Sequence, residues 1–225
     1  MIVPDYIERS NRKTLSLMVL KDGNVIVKAP ISMKDDTIEK FVFEKQDWIR
    51  SKLSAISKTQ SKFDDVIHYQ KFLLYGNRYS IIIDDVKRIE TNDAFQIVLP
   101  RKVDKDKILK TMKAWYKKVA KKVLFDRLSF VESKLKMKSK TFKISDSKGK
   151  WGSCNSFGTI MLNWRVIMLP PEIIDYVIVH ELCHLVEMNH SKKFWTLVEK
   201  FLPKTPALKK GIKEYGFLLN MFRDI

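Results

Sequence analysis

Cysteine is nearly absent: the 225 residues include two, Cys154 and Cys183. A disulfide between them is possible on count alone, but a cytosolic setting favours two free thiols. Glycine and proline are scarce as well, seven of each, which excludes fibrous and low-complexity chains. No apolar run approaches the roughly eighteen residues of a membrane span. The first residues, Met1 to Asn11, are charged and lack the apolar stretch of a secretion signal. These absences lead us to expect a soluble cytoplasmic protein with no membrane partner. There is also no internal repeat and no Walker-type glycine loop for nucleotide phosphates.

What is present is a core-forming composition, 45% hydrophobic, and a formal net charge of +17. That bounds the chain to one compact unit or two small domains. The charge is concentrated: residues 101–143 carry sixteen Lys or Arg against four acids, Asp104, Asp106, Asp126 and Glu132. Such a segment serves either as a basic face for a polyanion or as a solvated helix surface. Lysine dominates, and the arginines and interleaved aromatics of base readout are missing, which favours the solvated surface. Weak, sequence-independent nucleic-acid binding through 101–143 is the partner contact that remains.

The hydrophobic pattern divides into a mixed first part and a helical second part. Leu15, Leu17 and Val19 alternate with polar neighbours, and Asp22-Gly23 supplies a turn before Val25-Ile26-Val27. A helical pattern follows from Asp35 through Leu53, and strands return at Tyr79–Ile83 and Phe95–Leu99 around a Gly76-Asn77 turn. The longest helical signal runs from Asp106 to Lys136, as one helix or two. Beyond it come a strand at Thr141–Ile144, a loop holding Gly149, Gly152 and Gly158, and a strand at Thr159–Met168. Pro171-Glu172 opens one more helix in the usual way. The expected fold class is α+β, a small β-rich N-terminal subdomain (1–100) preceding a catalytic domain (101–225), with the boundary at Pro100–Lys105.

Three of the four histidines fall within eleven residues, from His180 to His190. On a helix, positions i and i+4 share a face, so His180 and His184 aim two imidazoles at one point. In His180-Glu181-Leu182-Cys183-His184, Glu181 is placed to hold water beside a metal rather than the metal itself. A catalytic zinc needs three protein ligands and an open position, and His190 is the obvious third. The helix cannot simply continue to it, because ten residues rise about 15 Å. The chain must turn back after about Glu187. In zinc proteases with this spacing a glycine makes that turn; here Glu187 stands in its place, and Asn189 is the expected left-handed residue. Ser191 reads as the N-cap of the next helix. Glu187, on the face of His180, is open between an orienting partner, a substrate contact and a fourth ligand. Asn163 and Arg165 share one face of the preceding strand and are candidates to contact substrate laid along that strand, with Trp164 packed on the other face.

Trp151-Gly152-Ser153-Cys154, Leu162-Asn163-Trp164-Arg165, Asp175-Tyr176-Val177, the His180–His184 motif, Asn189-His190-Ser191, Phe194-Trp195 and Pro203 together resemble the YgjP-like zinc-dependent metallopeptidase family. These motifs span roughly residues 148–216, with looser likeness upstream at Trp48-Ile49, Phe72-Leu73, Gly76, Tyr79 and Trp115-Tyr116. The resemblance implies a zincin-like catalytic domain whose active-site helix carries the H-E-x-x-H motif. It also implies one zinc per chain on His180, His184 and His190, with Glu181 as catalytic base acting on a protein or peptide. Around the metal it is similar to SprT-like and WLM proteases, which act on DNA-attached proteins. Ser147-Lys148-Gly149-Lys150 stands where the family has an arginine. A nucleotide pyrophosphatase activity attributed within the family and a DNA-associated protease are the alternatives to plain peptide hydrolysis.

Overall fold

The computed structural model describes residues 2–20, 22–223 and 225. It is a mixed α+β chain that divides into two units, Met1–Asp64 and Asp65–Ile225. The division therefore falls well before the expected Pro100–Lys105 boundary. It lies inside a helix, just beyond Phe63, where φ −124° and ψ 23° interrupt the helical conformation.

In the first unit β1 (Tyr6–Ser10), β2 (Ser16–Val19) and β3 (Val25–Pro30) form a sheet in the order β1-β3-β2. Alternation along β3 buries Val25, Val27 and Ala29 in a core with Ile38, Val42 and Ile49 from the helices. The turn before β3 needs its glycine, since Gly23 has φ +96°. The helical pattern expected to run unbroken from Asp35 is two helices, α1 (Asp35–Glu44) and α2 (Gln46–Ile67). The Gln46 amide donates to the Val42 and Ile2 carbonyls at this junction.

The second unit opens with β4 (Phe72–Leu74), β5 (Asn77–Asp84), β6 (Glu90–Thr91) and β7 (Gln96–Pro100), a sheet in the order β4-β5-β7-β6. These strands belong with the helical part of the second unit because they are bonded to it. Tyr116 donates its hydroxyl to the Leu73 carbonyl at 2.7 Å. At the tip of the β4–β5 hairpin, the amides of Tyr75 and Gly76 donate to the carbonyls of Ile167 and Met168 at 2.8 and 3.1 Å. Gly76 is required there: φ is +79°, and a Cβ would stand 2.9 Å from Cγ of Pro170. Composition carries no trace of such bonds.

α3 (Ile108–Leu135) is one continuous helix. Met112, Tyr116, Ala120, Leu124, Leu128 and Val131, at four- and three-residue steps, form its buried face. Lys136 ends it in the left-handed conformation, φ 56°. A second sheet follows: β8 (Thr141–Ser145), β9 (Gly152–Cys154) and β10 (Thr159–Asn163), in the order β8-β10-β9. The strand expected to continue to Met168 stops at Asn163, whose side chain accepts from the Arg165 amide at 3.1 Å and caps a 3-10 turn over residues 164–168. β9 lies within what read as a glycine-containing loop. α4 (Pro171–Cys183), α5 (Lys192–Phe201) and α6 (Thr205–Glu214) complete the unit. No described helix is long and apolar enough to cross a membrane.

Candidate active site

α4 is apolar on nearly every side: Ile173, Ile174, Tyr176, Val177, Ile178, Val179, Leu182 and Cys183 are all buried. A bidentate pair from Arg127 to Asp175, two contacts of 2.6 Å, ties it to α3. Opening the helix on Pro171 puts the missing amide where no helical bond needs it. This rigid element carries His180 and Glu181, with His184 as its C-cap. Glu181 is 6% exposed and His184 8%, so both polar groups are taken out of water and need a purpose that repays their desolvation.

The helix ends at Cys183, earlier than expected, and the return to His190 is made by tight turns. Leu185 donates to Leu182, and the amides of Val186 and Glu187 both donate to the Cys183 carbonyl. No left-handed residue occurs here, so the conformation expected at Asn189 is not used. Asn189 instead accepts from the Ser191 amide at 3.1 Å through its side chain. Ser191 in turn accepts from the Phe194 amide at 3.3 Å and starts α5 as expected.

The three imidazoles meet. One ring nitrogen from each of His180, His184 and His190 lies within 4.8 Å of the others, and Nε2 of His180 and His190 are 3.0 Å apart. Tetrahedral bonds of about 2.0–2.1 Å to one ion put ligand nitrogens about 3.4 Å apart, so the donor set fits zinc with a small adjustment. His184 Nδ1 sits 2.9 Å from the Glu187 carbonyl, which fixes the tautomer and leaves Nε2 as a lone-pair donor. Glu187 thus acts through its backbone, and its carboxylate is not part of the cluster. Burial, followed by the neighbouring histidines and Lys209, lowers His180 to about 4 and also lowers His190, which keeps both rings neutral and able to ligate.

Beneath the rings lies a residue whose role the motif alone does not reveal. Phe194 is fully buried, its ring centroid 4.4 Å from His184 and 4.9 Å from both His180 and His190. Trp195 stacks on His190 at 5.7 Å and 23°, and Lys209 of α6 places its ammonium 3.8 Å over the indole. The aromatic pair directly after an N-cap serine was the available signal, since α5 must present adjacent side chains to a site that its own N-terminus adjoins.

A cavity of about 460 Å³ opens over the cluster, lined by β9 and its approach, α4, Met188 and Ile212. Glu181 faces it. Burial raises its carboxyl to about 7, against a lowering by Lys150. Gly152 gives Glu181 its room, because a Cβ there would meet Oε1 at 2.6 Å. Neither thiol belongs to the histidine cluster, and both are free. Burial pushes Cys183 up to about 12 and raises Cys154, so both stay protonated.

Asn163 and Arg165, expected to reach substrate, do not line this cavity. They are 0% and 1% exposed. Arg165 donates to Asp146 at 2.6 Å and to the Met221 carbonyl at 2.6 and 3.0 Å, while its guanidinium lies 4.2 Å over the Trp164 ring. Asn163 donates through Nδ2 to the carbonyls of Ser147 and Lys150 at 2.8 and 3.2 Å. Both are internal braces of the 146–151 segment. β10 is the central strand, so its backbone has no edge to offer; the edge beside the cavity is β9.

A family model described as YgjP-like, metallopeptidase domain, matches residues 13–215. No curated protein matches the chain. Among solved structures, the crystal structure of the metallopeptidase zymogen of Pyrococcus abyssi abylysin is similar, at 28% identity, over 40% of this chain and 91% of that one, with a TM-score of 0.37.

Proposed function

The chain belongs to the YgjP-like metallopeptidase family, and on that premise we propose that it hydrolyses peptide bonds with one zinc ion held by His180, His184 and His190 and with Glu181 as general base. The observation that carries this reading is the division of labour in one cavity: three imidazoles converge, while the adjacent carboxyl lies outside their cluster. Bound there, zinc would supply the Lewis acidity that acidifies water and polarises a peptide carbonyl.

The chain's own groups do the rest. Glu181 accepts a proton from the attacking water at a carboxylate oxygen and delivers it to the leaving amine. Its burial favours both roles, since an acid titrating near neutrality gives and takes a proton at similar cost. Phe194 and the Glu187 carbonyl hold His184 in place. β9, rather than β10, offers its unpaired edge for an extended substrate along the cavity. A magnesium triphosphate would need oxygen ligands, and Glu181 is the sole carboxylate among the described residues lining the cavity, which supports peptide over nucleotide. The free thiols agree with a cytoplasmic setting.

The reading is tested by incubating zinc-loaded protein with unfolded polypeptides and with nucleoside triphosphates side by side. Cleavage of polypeptide that disappears in His190→Ala, with triphosphates left intact, is the expected result. Triphosphate cleavage alone would overturn it.

A further inference from the structure

Of the cavity's thirteen lining residues, one is a carboxylate, Glu181, and one is a lysine, Lys150. Glu181 is committed to proton transfer, so it does not serve as a permanent counter-charge for Lys150. The Lys150 ammonium makes no ion pair or hydrogen bond with any described residue, and Lys150 lines the same cavity as Glu181. A second cation, Lys209, is held 3.8 Å over the ring of Trp195, which stacks on His190. An unpaired ammonium within reach of the reacting groups, beside a site that takes a divalent cation, is complementary to an anion.

The position of Lys150 is built rather than accidental. The buried Asn163 side chain binds the carbonyls of Ser147 and Lys150, and its backbone amide donates to the Trp151 carbonyl at 2.7 Å. Arg223 donates to the Lys148 carbonyl. Four carbonyls of one short segment are thereby fixed just before β9, the strand whose Gly152 touches Glu181. The backbone carbonyl of Lys150 is held, and its exposed side chain lines the cavity.

We propose that Lys150 is a specificity-determining residue that selects peptides carrying an aspartate or glutamate side chain next to the scissile bond; this rests on the peptidase reading above. An ammonium–carboxylate hydrogen bond made at the cavity mouth distinguishes Glu from its neutral isostere Gln. The competing role is electrostatic tuning of Glu181, and it makes a different prediction: every substrate would suffer alike when Lys150 is changed.

The experiment uses internally quenched peptides of one sequence, with Glu or Gln placed in turn at each of six positions around the scissile bond, at physiological salt. The expected result is a preference for Glu of about 10- to 100-fold in kcat/KM at one position. It should be lost in Lys150→Gln, reversed in Lys150→Glu and kept in Lys150→Arg. A ratio near one, a ratio that survives Lys150→Glu, or a preference spread over all positions by the net positive charge would overturn the inference. Kd values for the same peptides, measured by fluorescence anisotropy on zinc-loaded Glu181→Gln protein, read the preference without turnover. Failure of the peptidase reading appears separately, as no His190-dependent cleavage of any peptide, whereas equal Kd values for Glu and Gln peptides overturn the role of Lys150.

Discussion

Gly152 and Glu181 are in van der Waals contact through a space no side chain can enter: a Cβ on Gly152 would stand 2.6 Å from Oε1, 2.7 Å from Cγ and 2.8 Å from Cδ of Glu181. The obstacle is a buried carboxyl rather than the tip of a flexible chain, so it must move. Gly152→Ala should therefore bind zinc normally and lose about 100-fold in kcat, the cost of displacing a catalytic group by about 1 Å. Zinc determination alongside peptide hydrolysis checks this; full activity would mean that Glu181 has slack the packing does not suggest.

His190 is the exposed member of the cluster and depends on its stacking with Trp195. Trp195→Ala should weaken zinc binding about 10- to 100-fold, the usual effect of removing a group that orients a ligand. Chelator competition measures it, with circular dichroism to show that the fold persists. Unchanged affinity would mean that the 184–191 turns alone orient His190.

Buried Glu181 and half-buried His180 oppose each other in the metal-free protein. Glu181 is raised from 4.5 to about 7, so its stabilising effect is present below pH 4.5 and is lost as pH rises to 7. His180 is lowered from 6.5 to about 4, so its effect is present above pH 6.5 and is lost as pH falls toward 4. Between pH 4.5 and 6.5 the two slopes have opposite signs. Glu181→Gln should leave only the histidine slope. That variant, metal-free, should lose stability on acidification from pH 6.5 and exceed the native protein above pH 7, by up to about 3 kcal/mol for full removal of the carboxylate penalty. Urea unfolding at stepped pH reads the difference, and parallel curves for the two proteins would contradict it.

The catalytic end was legible because its chemistry is local in sequence. Histidines at i, i+4 and i+10, a serine N-cap and Pro171 at a helix start each fix geometry within one turn. What could not be read depends on long-range pairing. Asn163 looks like an outward strand residue until it is seen binding carbonyls sixteen and thirteen positions away. β9 is three residues long and shows no periodicity of its own, and the rank of β10 as a central strand is a property of the sheet. The turn to His190 differs from the expected one because a left-handed residue is only one way to reverse a chain, and stacked amide bonds to Leu182 and Cys183 do it here without one.

The basic segment resolves into a smaller surface. Lys117 is paired with Asp146 at 2.8 Å, while Lys118, Lys121 and Lys122 are exposed on one face of α3 together with Phe125, which is 53% exposed. The aromatic missing from the linear reading is therefore present on the helix face. Weak, sequence-independent binding to DNA is expected, falling with salt, and changing the three lysines to glutamate should flatten the salt dependence by about 0.9 of a unit for each phosphate no longer neutralised. DNA should leave peptide turnover unchanged. Anisotropy titrations across salt concentrations, with hydrolysis measured in the same samples, check both points, and stimulation of hydrolysis by DNA would show that the surface serves catalysis.

The most direct test of the central claim is the zinc content and peptide hydrolysis of Glu181→Gln measured on one preparation. An amide in that position keeps the cavity's shape but accepts no proton at neutral pH. The account predicts close to one zinc per chain, as in the native protein, with hydrolysis reduced at least about 100-fold. Undiminished hydrolysis with zinc in place, or loss of the metal on this substitution, would contradict it.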